Sequence, residues 1–448
     1  MYDIRMKVAV LGYGKEGVAA VDYWREGNDV TVCDQNPSVV LPDHIDGQTG
    51  DDYLQGLDRF DLIVRSPQIH PRDIVSNNSP AILSKVTTGT QEFMKNCPAP
   101  IIGVTGTKGK GTTSSLITHI LKAAGYKVHL GGNIGVAPLE MNNWGIEASD
   151  WVVLELSNFQ LIDCQRSPKI AVCVMTVPEH LDWHTDTPEY IRSKQNLFLH
   201  QTAEDLAVYN RNNNLSTEIA AVSPAFKLSY EVPEAGAEPT ETDGAYVLGE
   251  DIYMDQVRVC GVADVRLLGR HNLQNICAAI TATWDVVGQN VEAITAAIRS
   301  FDGLPHRIEP VREVNDVWYY NDSFSSAGGA TIAAIDAIPQ PKVLIVGGYD
   351  RGLDYRELAK HIADHSEEIR SVLLIGQTGP KLKELLDNVD YTNYKLEPAK
   401  DMQTIVETAR QLAQPGDAVV LSPGFASFDM FKNFEDRGLQ FKARVDAL

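Results

Sequence analysis

Ile101-Ile-Gly-Val-Thr-Gly106-Thr107-Lys108-Gly109-Lys110-Gly111-Thr112-Thr113 runs from an apolar, β-branched segment through a glycine-rich turn. Behind it, Leu116, Ile117, Ile120, Leu121 and Ala124 recur at helical spacing until Gly125 stops the pattern. Strand, glycine-rich loop and helix in this order form a cradle for phosphate. Loop N–H groups and the helix N-terminus favour an anion, a lysine neutralises it, and a hydroxyl can hold Mg²⁺. Lys110 is that lysine. Gly111 intervenes before Thr112, so no hydroxyl follows the lysine directly. Val104 stands where the strict motif has its first glycine. The competing reading is a plain glycine-rich turn bearing surface lysines.

The same alternation extends in both directions. Lys7–Leu11, Asp29–Cys33 and Phe60–Val64 read as strands, with a helix over Val18–Trp24. Asn96-Cys-Pro-Ala-Pro100 reads as a linker, since closely spaced prolines hold the chain extended. Further strands are expected at Trp151–Leu156, Ile170–Val177, Lys342–Val346, Ser371–Ile375 and Ala418–Leu421. Residues 223–249, rich in Pro, Glu, Gly and Thr, read as an exposed excursion or hairpin. Parallel α/β architecture in three domains, 1–95, 96–300 and 301–448, fits 448 residues at roughly 100–200 per domain.

Composition removes several classes. With 60 acidic against 39 basic residues, the formal net charge is −21, which argues against a general nucleic-acid binder. No apolar run approaches the roughly 18 residues of a membrane span. Met1–Lys7 leads straight into a strand-like run and lacks the apolar core of a signal peptide. The six cysteines are scattered without a CxxC pair, so they read as reduced thiols of a cytoplasmic protein.

Other motifs carry possible chemistry. Gly12-Tyr-Gly14-Lys15-Glu16-Gly17 follows a strand and opens a helix, with Asp34 ending the next strand, the context of a dinucleotide-type phosphate turn. An NAD-dependent oxidoreductase therefore stands as one reading, and a tight structural turn as another. Glu155 ends an apolar strand and could offer a carboxylate to a metal, or be a solvated strand end. His180, Asp182 and His184 alternate and could converge on one ion, or form a hydrogen-bonded loop. Gly269-Arg270-His271-Asn272-Leu-Gln-Asn275 opens an alanine-rich helix, where asparagine also serves as a cap. Gly347-Gly348-Tyr-Asp-Arg351 and Leu421-Ser-Pro-Gly-Phe-Ala-Ser427 are turns after strands, where open α/β sheets bind ligands.

Taken in order, Gly106-Thr-Lys-Gly-Lys110, Glu155, Glu179-His180-Leu-Asp182, Lys194, Arg270–Asn275, His306-Arg307, Asn321-Asp322-Ser323, Gly347-Gly348 and Leu421–Gly438 resemble the Mur ligases of peptidoglycan synthesis over nearly the whole chain. The likeness is greatest to the branch that joins D-glutamate to UDP-N-acetylmuramoyl-L-alanine. It implies a Rossmann-like UDP-binding domain, a central P-loop ATPase-type domain and a C-terminal Rossmann-like domain. It also implies a monomeric enzyme using ATP and small-molecule substrates, without nucleic acid or membrane partners. On this resemblance Gly14, Lys15, Glu16, Asp34, Ser66, Asn133 and Ser157 bind the sugar nucleotide. ATP falls to Gly106 through Thr113, with Asn272, Asn275, Arg307 and Asp322. Lys110, Glu155, His180 and Lys194 form the catalytic set. Thr112, Glu155, His180 and Lys194, carbamylated, would hold two Mg²⁺ ions. Ser326, Arg351, Ser427 and Phe434 bind the incoming amino acid.

There are departures: Lys108 replaces an asparagine, and Gly111 gives a loop like that of folylpolyglutamate synthases. Phe324 and Arg351 each stand where a lysine is usual, and Ser326 where a threonine is. Arg351 retains a cation that can grip a carboxylate through two hydrogen bonds. A related ligase adding a different amino acid, a folylpolyglutamate synthase-like ligase and a non-catalytic nucleotide-binding regulator are the alternatives.

Overall fold

The computed structural model describes residues 5–448, so Met1–Ile4 of the expected lead-in lie outside the described residues. The described residues fall into two compact units. One holds the chain up to Asp264 together with Leu273–Ser300; the other holds Val265–Asn272 and Phe301–Leu448.

The first unit contains two parallel sheets. One is built from β1 (Lys7–Leu11), β2 (Asp29–Asp34), β3 (Asp46–Thr49), β4 (Leu62–Arg65) and β5 (Val86–Thr88), in the order β3-β2-β1-β4-β5. The other uses β6 (Ile101–Thr105), β7 (Val128–Gly132), β8 (Trp151–Glu155), β9 (Ile170–Cys173), β10 (Leu206–Asn210) and β11 (Phe226–Tyr230), in the order β11-β10-β9-β6-β8-β7. Central β6 and β9 are buried along their whole length, which is why both read as unbroken apolar runs. One apolar cluster runs from Val8 and Val10 through Phe93 and Leu139 to Leu154 and Leu197, joining the two sheets. A small antiparallel sheet, β12 (Tyr246–Leu248), β13 (Asp251–Met254) and β14 (Val257–Gly261), follows.

The second unit carries β15 (Glu309–Val314), β16 (Val317–Asn321), β17 (Lys342–Gly347), β18 (Ile369–Ile375), β19 (Tyr394–Leu396) and β20 (Ala418–Leu421). Their order is β15-β16-β20-β17-β18-β19, with only the β15–β16 pair antiparallel. The glycine turn after β17 and the serine turn after β20 therefore leave adjacent strand ends.

Two expectations are corrected. The strand expected over Ile170–Val177 ends at Cys173, because the next residues hold the glycine-rich loop after β6. Val174 N–H donates to Thr105 O, and Met175 O accepts from Thr107 and Lys108. Residues 223–249 are not one exposed excursion: Ser229, Tyr230, Glu231, Ala245, Tyr246 and Val247 are buried, and exposure is concentrated between them. Glu231 anchors that bend, its carboxylate accepting Thr240 N–H, the Thr240 hydroxyl and Glu241 N–H.

Candidate active site

The helix Lys110–Ala123 begins at the foreseen lysine. Gly109 caps it at φ +94°, and a Cβ there would lie 2.2 Å from Asn275 Oδ1, so both conformation and space require glycine. Thr113 is fully buried and donates its hydroxyl to Asn275 Oδ1 at 3.3 Å. That leaves half-buried Thr112 as the hydroxyl less committed to the framework. Thr107 and Lys108, expected at ATP, both turn their N–H groups to Met175 O. The Thr107 hydroxyl also donates to Val177 O at 2.7 Å and lies 2.6 Å from the Tyr190 hydroxyl. Thr107 is thus bound into the loop framework, while the Lys108 side chain is exposed.

Two lysine amines meet at one carbonyl. Lys110 Nζ lies 3.2 Å from Gly106 O and 3.0 Å from Thr107 O; Lys194 Nζ lies 2.8 Å from Gly106 O. Lys194 sits on the helix Thr187–Leu199 and is only 1% exposed, so it is not a surface lysine. Burial, reinforced by Lys110, pulls its pKa down to about 7.

Glu155 ends β8 beneath this loop, buried, and accepts the Asn133 amide at 2.7 Å. His180 is half exposed, adopts φ +57°, and packs its ring 4.8 Å from Phe159. The alternating His180-Asp182-His184 set does not converge. Asp182 is exposed, while His184 is buried against Asn158 at 2.8 Å and Glu189 at 3.3 Å. His70 reaches the same Glu189 oxygen at 3.4 Å. Burial lowers the pKa of both histidines.

The first glycine motif forms the strand-to-helix turn that its pattern predicts. Gly17 permits close approach, since a Cβ there would lie 2.0 Å from Gly12 O. Gly14 and Lys15 are exposed. Asp34 accepts N–H bonds from Tyr13 at 2.6 Å and Asn36 at 2.8 Å, holding the turn. Ser66 donates to Gly12 O at 3.1 Å. Glu16 accepts the Gln160 amide at 2.7 Å, and burial raises its pKa; Gln160 in turn closes a capping box with Ser157. Arg65, fully buried, grips Asp163 with 2.9 and 2.6 Å bonds. These links tie the first sheet to the second.

In the second unit, Asp322 is buried, accepting Ile308 N–H at 3.1 Å and the Ser422 hydroxyl at 2.6 Å. Burial pushes its pKa up to about 7. The Arg307 guanidinium stacks 4.0 Å from the Phe324 ring, and Phe434 meets that ring edge-on at 5.0 Å. Asn272 donates to Leu268 O at 2.7 Å, so it belongs to this unit, whereas Asn275 belongs to the other. Ser427 is buried, Ser326 half-buried and Arg351 exposed. Arg437, which sequence reasoning did not single out, is fully buried and ties Ser323 to Phe425 O.

Family models match in two places: the Mur ligase middle domain over residues 104–283 and the Mur ligase, glutamate ligase domain over 306–425. The chain is also 37% identical to the UDP-N-acetylmuramoylalanine–D-glutamate ligase of Acetivibrio thermocellus over 99% of this chain and 96% of that one. It belongs to the Mur ligase family. The Clostridium tetani protein of the same name is 34% identical to this Mur ligase, covering 98% of this chain and 96% of its own. Its fold is similar to that of MurF ligase from Thermotoga maritima in complex with ADP, at 17% identity and TM-score 0.59, covering 99% and 96% of the two chains. MurC from Thermotoga maritima gives TM-score 0.60 at 13% identity over 99% and 100%. No helix among the described residues of this Mur ligase is long and apolar enough to cross a membrane.

Proposed function

We propose that this Mur ligase adds D-glutamate to UDP-N-acetylmuramoyl-L-alanine at the expense of ATP. The observation that carries the chemistry is the convergence of Lys110 and Lys194 on Gly106 O in a glycine-rich loop, with Glu155 at the end of β8. The near full-length likeness to two D-glutamate ligases supports the choice of substrates.

The L-alanyl carboxylate attacks the γ-phosphorus of ATP, the bond to the β,γ-bridging oxygen breaks, and ADP leaves from an acyl phosphate. The D-glutamate amine then adds to that carbonyl, loses a proton and expels inorganic phosphate. Phosphorylation is required because a free carboxylate is a poor acyl donor. Two anions must meet, so cationic and N–H groups around them lower the barrier.

Lys110 and the N–H groups at the start of the helix Lys110–Ala123 receive the phosphates. Asn272, Asn275, Arg307 and Asp322 complete the ATP contacts. A buried carboxylate, an imidazole and a helix-start hydroxyl form a donor set suited to a divalent cation. Thr112, Glu155, His180 and modified Lys194 would hold two Mg²⁺ ions, which supply charge neutralisation between the reacting oxyanions.

Lys194 suits carbamylation. Its amine is buried and readily neutral, so it can add to CO₂, forming an N–C bond and releasing a proton. The resulting carbamate replaces a cation by an anionic oxygen donor. Residues 1–95 bind the sugar nucleotide through the turn at Gly14, Lys15 and Glu16, with Asp34, Ser66, Asn133 and Ser157. Residues 96–300 bind ATP, and 301–448 present Ser326, Arg351, Ser427 and Phe434 to the amino acid. The enzyme acts as a cytoplasmic monomer.

Phosphate release is the test, with ATP, Mg²⁺, UDP-N-acetylmuramoyl-L-alanine and a panel of D- and L-amino acids. Release that requires both the sugar nucleotide and D-glutamate is expected. Release with another amino acid alone would overturn the acceptor, and release without the sugar nucleotide would overturn the reaction.

A further inference from the structure

Glu189 Oε2 is the meeting point of three donors, one from the segment after β4 and two from consecutive residues of the loop after β9. His70 Nε2 lies 3.4 Å away, His184 Nδ1 3.3 Å, and Thr185 N–H 2.8 Å. His70 Nδ1 accepts Arg72 N–H at 3.0 Å, so its proton sits on Nε2 and points at the carboxylate. This also bears on metal binding. A metal-bound imidazole donates its remote N–H outward, whereas here the remote nitrogen of His70 receives an N–H. The cluster is therefore built as a hydrogen-bonded tie.

The tie joins the segment after β4 to the loop that carries His180. Trp183 Nε1 donates to Gln68 O at 3.0 Å, Arg72 donates to Trp183 O, and the His70 and Trp183 rings lie 4.4 Å apart. Within the loop, Trp183 N–H and His184 N–H both donate to His180 O, at 3.0 and 2.9 Å. His180 itself holds a left-handed φ of +57°, a conformation that persists in a non-glycine residue only where the surroundings enforce it.

We infer that His70, from the segment after β4, and Glu189, on the helix Thr187–Leu199, are positioning residues that hold the His180 imidazole in place. This rests on the reading of His180 as a Mg²⁺ ligand. Neither residue touches the reacting atoms; they act through Thr185 and His184 on the backbone of the loop. The segment Ser66–Arg72 that supplies the tie also contains Ser66, a sugar-nucleotide contact in the same reading. Both sites thereby share one short stretch of chain.

The experiment measures phosphate release by the full chain at saturating ATP, sugar nucleotide and D-glutamate while free Mg²⁺ is varied, and Mn²⁺ binding to the same proteins by electron paramagnetic resonance without turnover, each shift being expected in both. His180→Ala is the reference and should raise the half-saturating Mg²⁺. His70→Ala and Glu189→Gln should each raise it about tenfold, the scale of losing a group that orients a metal ligand. In both, kcat should return to near the parent value when Mg²⁺ saturates, a recovery that a general packing defect would not show. His70→Gln keeps an N–H donor to Glu189 and should recover most of the Mg²⁺ response. Thermal melting of each variant identifies any that fails to fold, in which case the remaining variants decide. A parent-like Mg²⁺ response in folded His70→Ala and Glu189→Gln, alongside a shifted His180→Ala, would overturn the tie alone. A parent-like response in His180→Ala would overturn the ligand reading and the tie with it.

Discussion

Lys194 offers the most direct probe of the proposed chemistry. An unperturbed lysine with a pKa near 10.4 is neutral in about one molecule in a thousand at pH 7.5. With the Lys194 value pulled down to about 7, most molecules carry a neutral amine at that pH. Only the neutral amine adds to CO₂, so the reactive fraction rises on the order of several hundredfold. The sign follows: protonation consumes the nucleophile, so modification is lost as pH falls through about 7 and is nearly level above pH 8. An ordinary lysine would keep gaining reactive amine up to pH 10. Protein equilibrated with ¹³C-bicarbonate should show one protein-bound carbamate carbon by NMR. Lys194→Arg should abolish that signal and reduce ligase turnover on the order of a hundredfold or more. Lys110→Met, which removes the neighbouring positive charge, should move the pH midpoint upward. A carbamate signal that survives Lys194→Arg, or a midpoint near pH 10, would refute the reasoning.

Three further outcomes are expected. Gly109→Ala places a methyl group against Asn275 Oδ1 at a left-handed backbone position, so the KM for ATP should rise at least about tenfold in nucleotide titrations while UDP-sugar binding is retained. Asp322 has a folded pKa raised to about 7, so its ionisation destabilises the fold increasingly as pH rises from about 4 to 7. Asp322→Asn should remove up to about 4 kcal/mol of that pH-dependent loss, read as a smaller drop in melting temperature between pH 5 and pH 8; an unchanged drop would contradict the assigned burial cost. Arg351→Ala should raise the KM for D-glutamate far more than that for ATP, whereas equal effects would remove Arg351 from the amino-acid site.

The sheets were largely legible because parallel strands buried on both faces leave plain apolar runs, as at Lys7–Leu11, Ile101–Thr105 and Trp151–Glu155. The strand, glycine-rich loop and helix around Lys110 were legible because the glycines and lysine lie within a few consecutive residues. Lys194 was harder. Its neighbours Arg192, Ser193, Gln195 and Asn196 suggest a solvated face, yet it is buried and its amine meets a carbonyl 88 positions away. His184 stood between two readings, a shared ion or a hydrogen-bonded loop, and the structure has the second. Its spacing from His180 suggests a shared ion, but its partner is Glu189, and the third member, His70, lies 119 positions from that carboxylate. Local spacing reports which side chains share a loop or a helix face; it says nothing of which distant backbone closes over them.

The interleaving of the two units bears on how the chain is made. Val265–Asn272 belongs with Phe301–Leu448, although Leu273–Ser300 between them completes the first unit. Leu268 packs against the second unit's apolar core. During synthesis from the N-terminus, the first unit lacks its last helices until residue 300 has emerged. By then the segment 265–272 is already outside the ribosome, waiting for a core made later. Neither unit can be inherited, exchanged or excised as one uninterrupted stretch, so recombination that cuts the gene at residue 300 would separate Leu268 from the core it covers.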